Sequence, residues 1–377
     1  MHTPLAWRNL THNKRRAFAA AASIAFVIVL IFVQLGLYAS IVKIATLIYD
    51  RLNFDLVLVS PRYVYMDRAG TFRRGRLSQA LTVNGVDSAV PFYTTPTPLW
   101  RNPQTRLRYQ MHTRAFNLHD RVFLLPELDE QLVAIRSPDT VLIDRRTRPE
   151  LGSQATGVVT ELNRRKIRIA GQYTLGKVFG GFGSIIVSDQ TFSRILNGYS
   201  LDKVSLGLIK IVPGASPDVV AHSLRRVLPP DVRVLTRAEL EDIEQRYWIE
   251  VTSAGIIIGT GTIVAFLVGT IVFYQVLATD ITNHILEYAT LKALGYKDSH
   301  MSLVVLQQAF MLALMGFVPA LALALGVYEV IRKTAYLPVS MTLMRIVFVL
   351  ILAVVMCSMS GLIALRKVKR ADPAELF

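Results

Sequence analysis

Four long stretches without a single charged side chain, at 17–42, 251–279, 301–328 and 346–365, constrain this chain more than anything else in it. Each reaches the ~20 residues that cross a hydrocarbon core of ~30 Å. One stands near the start and three are bunched at the end, with residues 43–250 of ordinary globular sequence between the first and the second. The chain therefore reads as a membrane protein with a large extramembranous domain. Charged residues make up 18% of the sequence, below the ~25% of a soluble chain, because the spans dilute them. The first stretch is too long for the ~7–15 residue apolar segment of a cleavable leader, so it is expected to remain as an anchor.

Positive charges beside the spans set the expected orientation. Arg8, Lys14, Arg15 and Arg16 precede the first span, and Arg366, Lys367, Lys369 and Arg370 follow the fourth. Both termini are thus expected in the cytoplasm, and the long domain outside it, periplasmic in a diderm bacterium. The net charge of +15 does not point to nucleic acid, since no basic stripe interleaved with aromatics stands on the cytoplasmic side. The single cysteine, Cys357, lies in the fourth span and rules out an intrachain disulfide.

The expected fold is four transmembrane helices arranged 1 + 3, with an α+β periplasmic domain inserted on helical stalks. Ile41, Ile44, Ile48 and Leu52 recur at helical spacing after span one, as do Leu240, Ile243, Tyr247 and Val251 before span two. Thr236 and Glu239 form a capping box at the start of the second stalk. Strands are predicted at 55–60, 140–144, 168–174, 184–188, 204–212 and 232–236, rich in Val and Ile and bounded by Gly, Pro or Asp. Ser216, Pro217 and Asp218 open a helix to about Leu228. The strand, helix, strand unit at 204–236 is one that the strand at 55–60 can join, which leaves about 91–193 as an inserted lobe. The full division is 1–16 an amphipathic N-terminal helix, 17–42 span one, 43–250 stalks and domain, and 251–279 span two. It continues with 280–300 a cytoplasmic helix, 301–328 span three, 329–345 a short loop, 346–365 span four and 366–377 a cytoplasmic tail.

Sequence signals for chemistry are weak. Residues 171–178, GQYTLGKV, fit a phosphate-loop pattern until its last position, where a Ser or Thr should hold magnesium. A glycine-punctuated hairpin is the plainer reading. His112 and His119 have no acidic partner in metal-binding spacing, and no nucleophile elbow occurs. No catalytic, cofactor or metal site is expected on this chain.

Mechanical features remain. A helix over 281–294 puts Asn283, Glu287 and Thr290 on a polar face and Ile285, Tyr288 and Leu291 on another, and Gly295 ends it. Such a helix either lodges at the bilayer interface or docks a partner. In span two, Gly255 and Gly259 stand four apart, and Gly261, Ala265 and Gly269 continue the small residues. They either permit close helix approach or are merely tolerated. Gln34 in span one suits an interhelical hydrogen bond or, less simply, a substrate contact.

Several segments resemble a known family. LEYATLKALGY at 286–296 and ALRKVKRADPAELF at 364–377 are similar to the two cytoplasmic signatures of the FtsX/MacB superfamily of ABC transporter permeases. LAWRNLTHNKRRAF at 5–18 resembles that superfamily's N-terminal helix. Within it the DevC-type permeases are similar at VQLGL (33–37), DLVLVSP (55–61), NPQT (102–105), DTVLIDRRTRPELG (139–152), LGLIKIVPGA (206–215) and VFVLILAVVMCSMSG (347–361). The resemblance implies a permease subunit in the inner membrane that recruits a separate ATPase, with ATP and Mg held on that partner. It also implies a homodimer, two ATPase copies, a periplasmic adaptor and a TolC-like outer-membrane channel. Carried onto this sequence, Glu287, Tyr288, Leu291, Lys292, Leu294 and Gly295 would meet the ATPase beside Trp7 and Leu10. The dimer contact would fall on spans one and two, at Gly255, Gly259, Gly261, Ala265, Gly269 and Gln34.

The expected function is that of a mechanotransmitting permease in a tripartite exporter of an amphiphilic cargo such as a glycolipid. The near absence of charge inside the spans speaks against a hydrophilic pore. An FtsX-like signalling permease that activates a cell-wall hydrolase, and a lipoprotein-release permease, are the alternatives.

Overall fold

The computed structural model describes residues 14–176, 181–283, 285, 298–335 and 337–369. The chain divides into two units, one of Met1–Ser40 with Ser253–Phe377 and the other of Ile41–Thr252.

Among the described residues, the first unit holds four helices long and apolar enough to span a membrane. They are α1 (Lys14–Thr46), α7 (Ser253–Asn283), α8 (Asp298–Thr334) and α9 (Leu343–Lys369). All four expected spans fall inside these helices but for the first two residues of span two, and the fold is the expected 1 + 3 arrangement. Small residues let the helices approach. A Cβ added at Gly36 of α1 would stand 2.5 Å from Cζ of Tyr328 on α8, and one at Gly316 would stand 2.5 Å from Ile24. The Tyr328 hydroxyl donates to the Phe32 carbonyl of α1, and Phe32 and Phe317 rings lie 5.9 Å apart.

The second unit is built on a ten-stranded sheet. Its strands are β1 (Leu56–Val59), β3 (Val86–Thr95), β4 (Leu99–Arg101), β5 (Arg108–Phe116) and β6 (Thr140–Asp144). They continue with β7 (Val159–Leu162), β8 (Arg165–Tyr173), β9 (Gly183–Ser188), β11 (Leu206–Ile211) and β12 (Arg233–Thr236). The order is β12-β1-β11-β3-β5-β4-β7-β8-β6-β9, and a parallel β5–β9 pairing brings the last strand back. The six strands from β4 to β9 thereby close a ring, and they lie within the segment set apart at about 91–193. A separate ribbon pairs β2 (Phe72–Arg73) with β10 (Lys203–Val204).

Strand β1 reads LVLV and is buried at every position. Alternation explains it, since successive side chains of a strand point to opposite faces. Leu56 and Leu58 enter one core with Trp100, Ile143 and Leu224, and Val57 and Val59 enter a second with Tyr49, Phe116 and Leu240. As expected, β1 lies between β11 and β12, and α5 (Pro217–Val227) lays Val220, Ala221 and Leu224 on the first core.

Two local expectations change. No hairpin joins β8 to β9, because β6 lies between them, parallel to β8 and antiparallel to β9. The phosphate-loop-like run starts inside β8, and its residues 177–178 lie outside the described residues. The second stalk also does not run as one helix into span two. Helix α6 (Arg237–Arg246) carries the capping box at Thr236 and Glu239, then gives way to a π-helical turn, Tyr247–Val251. Thr252 is extended, with ψ 146°, before α7 begins. The run of branched residues Ile249, Val251 and Thr252 is poor helix material, which suits the break. The first stalk stops at Thr46 and is followed by a 3-10 turn, Tyr49–Arg51.

Candidate functional site

The residues expected to meet an ATPase, Trp7, Leu10, Glu287, Tyr288, Leu291, Lys292, Leu294 and Gly295, lie outside the described residues. Those expected to pack spans one and two are described, and most are occupied within the chain. A Cβ at Gly261 would stand 2.9 Å from Nε2 of Gln34. One at Gly269 would stand 2.8 Å from Val27 and 3.1 Å from Met356. Ala265 and Gly255 are buried, whereas a Cβ at Gly259 would meet nothing within 4 Å. The structure thus joins Gly261 to Gln34 and leaves Gly259 facing open space.

Sequence reasoning missed a buried polar cluster in the second unit, where the chain segments 41–52 and 237–252 meet. Glu244 of α6 is 2% exposed. Tyr49, on the 3-10 turn after α1, donates to its Oε1 at 2.9 Å, and Tyr63 donates to the same oxygen. The two hydroxyls are 3.0 Å apart. Burial pushes the Glu244 carboxyl up to about 7, although the two tyrosines and the Met66 backbone favour its charged form and partly offset the rise. Tyr49 and Tyr63 are raised well above the ordinary phenol range, first by burial and then by Glu244. The Glu244 carboxyl is thus near its titration midpoint at neutral pH, while both phenols stay neutral and donate to it.

A cavity of about 30 Å³ borders this cluster, lined by Ile44, Ile48, Asp67, Arg114, Glu244 and Trp248 among others. It has room for about one water. Arg114 of β5 is 1% exposed and bonds the Ser184 hydroxyl, which is 2.7 Å from that of Tyr173. His112, two residues earlier on the same strand, holds Nδ1 3.0 Å from Oδ2 of Asp67. The π-helical turn completes the site by stacking Tyr247 on Tyr65 at 4.2 Å, with Trp248 edge-on at 5.7 Å. Turns of this kind recur where an α-helix must redirect side chains.

One sequence signal could have found the cluster. Glu244 stands four residues after Leu240 on the apolar stripe of the second stalk, and a carboxylate on a buried stripe needs a partner. Nothing in the sequence pairs it with Tyr49 or Tyr63, 195 and 181 residues away. The arrangement has no nucleophile with a base, and among the described residues no three His, Cys, Asp or Glu side chains gather as a metal site. It can hold a proton and tie two chain segments together.

Residues 259–373 match the family described as FtsX-like permease C-terminal. No curated protein matches the chain. Among solved structures, the periplasmic region of MacB from Actinobacillus actinomycetemcomitans is similar over 55% of this chain and 97% of its own, at 12% identity and a TM-score of 0.36. The extracellular domain of the noncanonic ABC-type transporter YknZ from Gram-positive bacteria aligns over 49% of this chain and 100% of its own, at 9% identity and 0.34. A domain of a putative permease from Porphyromonas gingivalis aligns over 49% and 87%, at 15% and 0.31.

Proposed function

We propose, from the match of residues 259–373 to the FtsX-like permease C-terminal family, that this chain is an ABC permease of the FtsX/MacB superfamily and the membrane subunit of a tripartite exporter. In this reading it is a DevC-type homodimer in a bacterial inner membrane, with both termini cytoplasmic and the inserted domain in the periplasm. A separate ATPase binds ATP and Mg and closes on the segment at 280–300. The inserted domain transmits that movement to an adaptor and an outer-membrane channel, which carry away an amphiphilic cargo.

The match of residues 259–373 supports the permease part of this reading, because it covers the segment between the second and third spans that is proposed to meet the ATPase. The buried cluster supports a mechanical role for the domain. Glu244 ties the segment leaving α1 to the segment approaching α7, so a displacement of one reaches the other through hydrogen bonds that water does not weaken.

The test is reconstitution with the partner ATPase. Glu287→Lys reverses a charge at the proposed contact and Gly295→Val penalises a left-handed helix end. Both variants should insert normally yet lose about tenfold or more of the permease-stimulated ATP hydrolysis, the scale of losing one interfacial charge pair at ~2 kcal/mol. Undiminished stimulation by both would return that segment to an interfacial helix. Co-purification of an adaptor with the complex supports export, and a cell-wall hydrolase in its place supports signalling.

A further inference from the structure

The cavity beside Glu244 brings together two polar atoms that the fold leaves unpaired. Buried polar side-chain atoms are nearly always hydrogen-bonded, and one without a partner costs the desolvation of that group. Among the described residues, two buried side-chain atoms with no hydrogen-bond partner belong to residues that line this cavity, Oδ1 of Asp67 and Nε of Arg114. One accepts and the other donates. Both are held in place by contacts made elsewhere. The turn that carries Asp67 is closed by the Arg68 N–H, which donates to the Tyr65 carbonyl at 2.8 Å, and by the Val64 N–H, which donates to the Arg68 carbonyl at 3.2 Å. The Asp67 side chain is 8% exposed, and its other oxygen, Oδ2, is the one beside Nδ1 of His112. Arg114 is engaged at the Ser184 hydroxyl.

Size and charge decide what fits between them. At about 30 Å³ the cavity suits a water-sized guest rather than an organic molecule. A cation would satisfy Asp67 but lie against the Arg114 guanidinium, and an anion would satisfy Arg114 but lie against Asp67 and Glu244. Water donates to the one and accepts from the other without burying a further charge. Glu244 lines the same cavity and supplies a third polar neighbour, in keeping with the ~3 hydrogen bonds of a typical buried water. Ile44, Ala45, Leu47 and Ile48 of the first stalk wall the rest with Leu175 and Trp248, a mostly apolar lining that leaves the polar atoms no other guest to share.

We propose that this cavity is a binding site for a single water, fixed between Asp67 Oδ1 and Arg114 Nε, and that this water carries protons to and from the Glu244 carboxyl. Glu244 needs such a carrier. It is buried, both tyrosines direct their hydroxyl hydrogens at its Oε1, and yet it titrates close to neutral pH. The proton leaves the carboxyl for the water oxygen while one of the water's own protons passes along its hydrogen bond to Asp67 Oδ1. The water ends as it began, Glu244 is left ionised and Asp67 holds the proton at the outer end of the path. The inference concerns the second unit alone and stands apart from the exporter reading.

The test follows the infrared carbonyl band of protonated Glu244 in the full chain after transfer to heavy water at about pH 6, below its titration, with Glu244→Gln identifying the band. Ala45→Met places a longer side chain in the cavity and should slow the deuterium shift of that band about tenfold or more, because exchange then waits on local opening. A density map of the native chain that resolves waters should show one peak within hydrogen-bond reach of Asp67 and Arg114, and the map of Ala45→Met should lack it. If Ala45→Met does not fold, Arg114→Lys, which removes Nε and keeps the charge, takes its place in the exchange measurement with the same slowing expected. Crystals grown in rubidium bromide report on ions by anomalous scattering. A native map with no peak, a rubidium or bromide signal at the site, or exchange as fast in the variant as in the native chain would overturn the proposal.

Discussion

The two units fix their internal contacts by different means. In the membrane unit the close contacts are glycines under side chains, Gly36 under Tyr328, Gly316 under Ile24 and Gly269 under Val27. In the inserted domain they are hydrogen-bonded oxygens, Glu244 with Tyr49 and Tyr63, and Ser184 with Arg114 and Tyr173. The difference follows from the surroundings. Lipid tails are as apolar as leucine, so helices gain from close fit rather than from burial. The domain draws its stability from apolar burial in water, and there a satisfied polar network fixes one arrangement of segments distant in sequence.

The largest effect that would sharpen this comparison is expected at Gly36. Gly36→Leu drives a branched side chain into the Tyr328 ring, which cannot swing away because its hydroxyl is bound to the Phe32 carbonyl. We expect a loss of about 3 kcal/mol or more, read as thermal unfolding in detergent, at the upper end of overpacking costs. Gly36→Ala combined with Tyr328→Ala should be less damaging than the sum of the two by about 1 kcal/mol or more. Additive losses would mean that fit at this crossing does not hold the membrane unit.

Glu244→Ala tests the other half of the comparison. It leaves two buried phenols without their shared acceptor, a cost of about 2–3 kcal/mol to the domain. Thermal unfolding of the full chain followed by tyrosine absorbance reads it, and a change under about 0.5 kcal/mol would demote the cluster to ordinary packing.

Protonation gives a smaller and more selective signal. The Glu244 carboxyl is raised from an ordinary 4.5 to about 7. The folded chain then binds this proton more tightly than the unfolded chain, so its contribution is fully present below about 4.5 and fades as pH rises through about 7. Domain stability should therefore fall from pH 4.5 to 7 in the native chain, and Glu244→Gln should flatten that slope while keeping an acceptor for the tyrosines. An unchanged slope in the variant would move the titration to another group.

The sequence carried the membrane unit almost completely, because an uncharged run of span length has few alternatives in structure. The domain was legible where its strands are apolar on both faces, as in the LVLV of β1 and the TVLID of β6. It was not legible at β3, β5 and β7, where polar residues such as Asp87, Ser88, His112, Thr113, Arg114 and Glu161 interrupt the apolar ones and whose turns lack an Asn-Gly signal. Ring closure by the parallel β5–β9 pairing joins residues some seventy apart, a contact that no local pattern encodes. The cluster at Glu244 escaped for the same reason, since only the fold brings Tyr49 and Tyr63 to it.

The smallest expected effect on the chain itself separates two uses of glycine in α7. Gly261 and Gly269 lie under Gln34 and Val27 of the same chain, so leucine at either should destabilise the membrane unit as Gly36→Leu does. Gly259 has open space where its side chain would be, and Gly259→Leu should change monomer stability by no more than about 0.5 kcal/mol. If a second copy packs on α7 at that position, leucine will hold the two backbones apart and weaken self-association. Energy transfer between labelled copies in bilayers, measured against thermal unfolding of the same variant, separates the two effects. A variant that unfolds normally but no longer associates places the dimer contact at Gly259. One that unfolds normally and still associates confines the small residues of α7 to packing within a single chain, and close fit then ends at the boundary of the monomer.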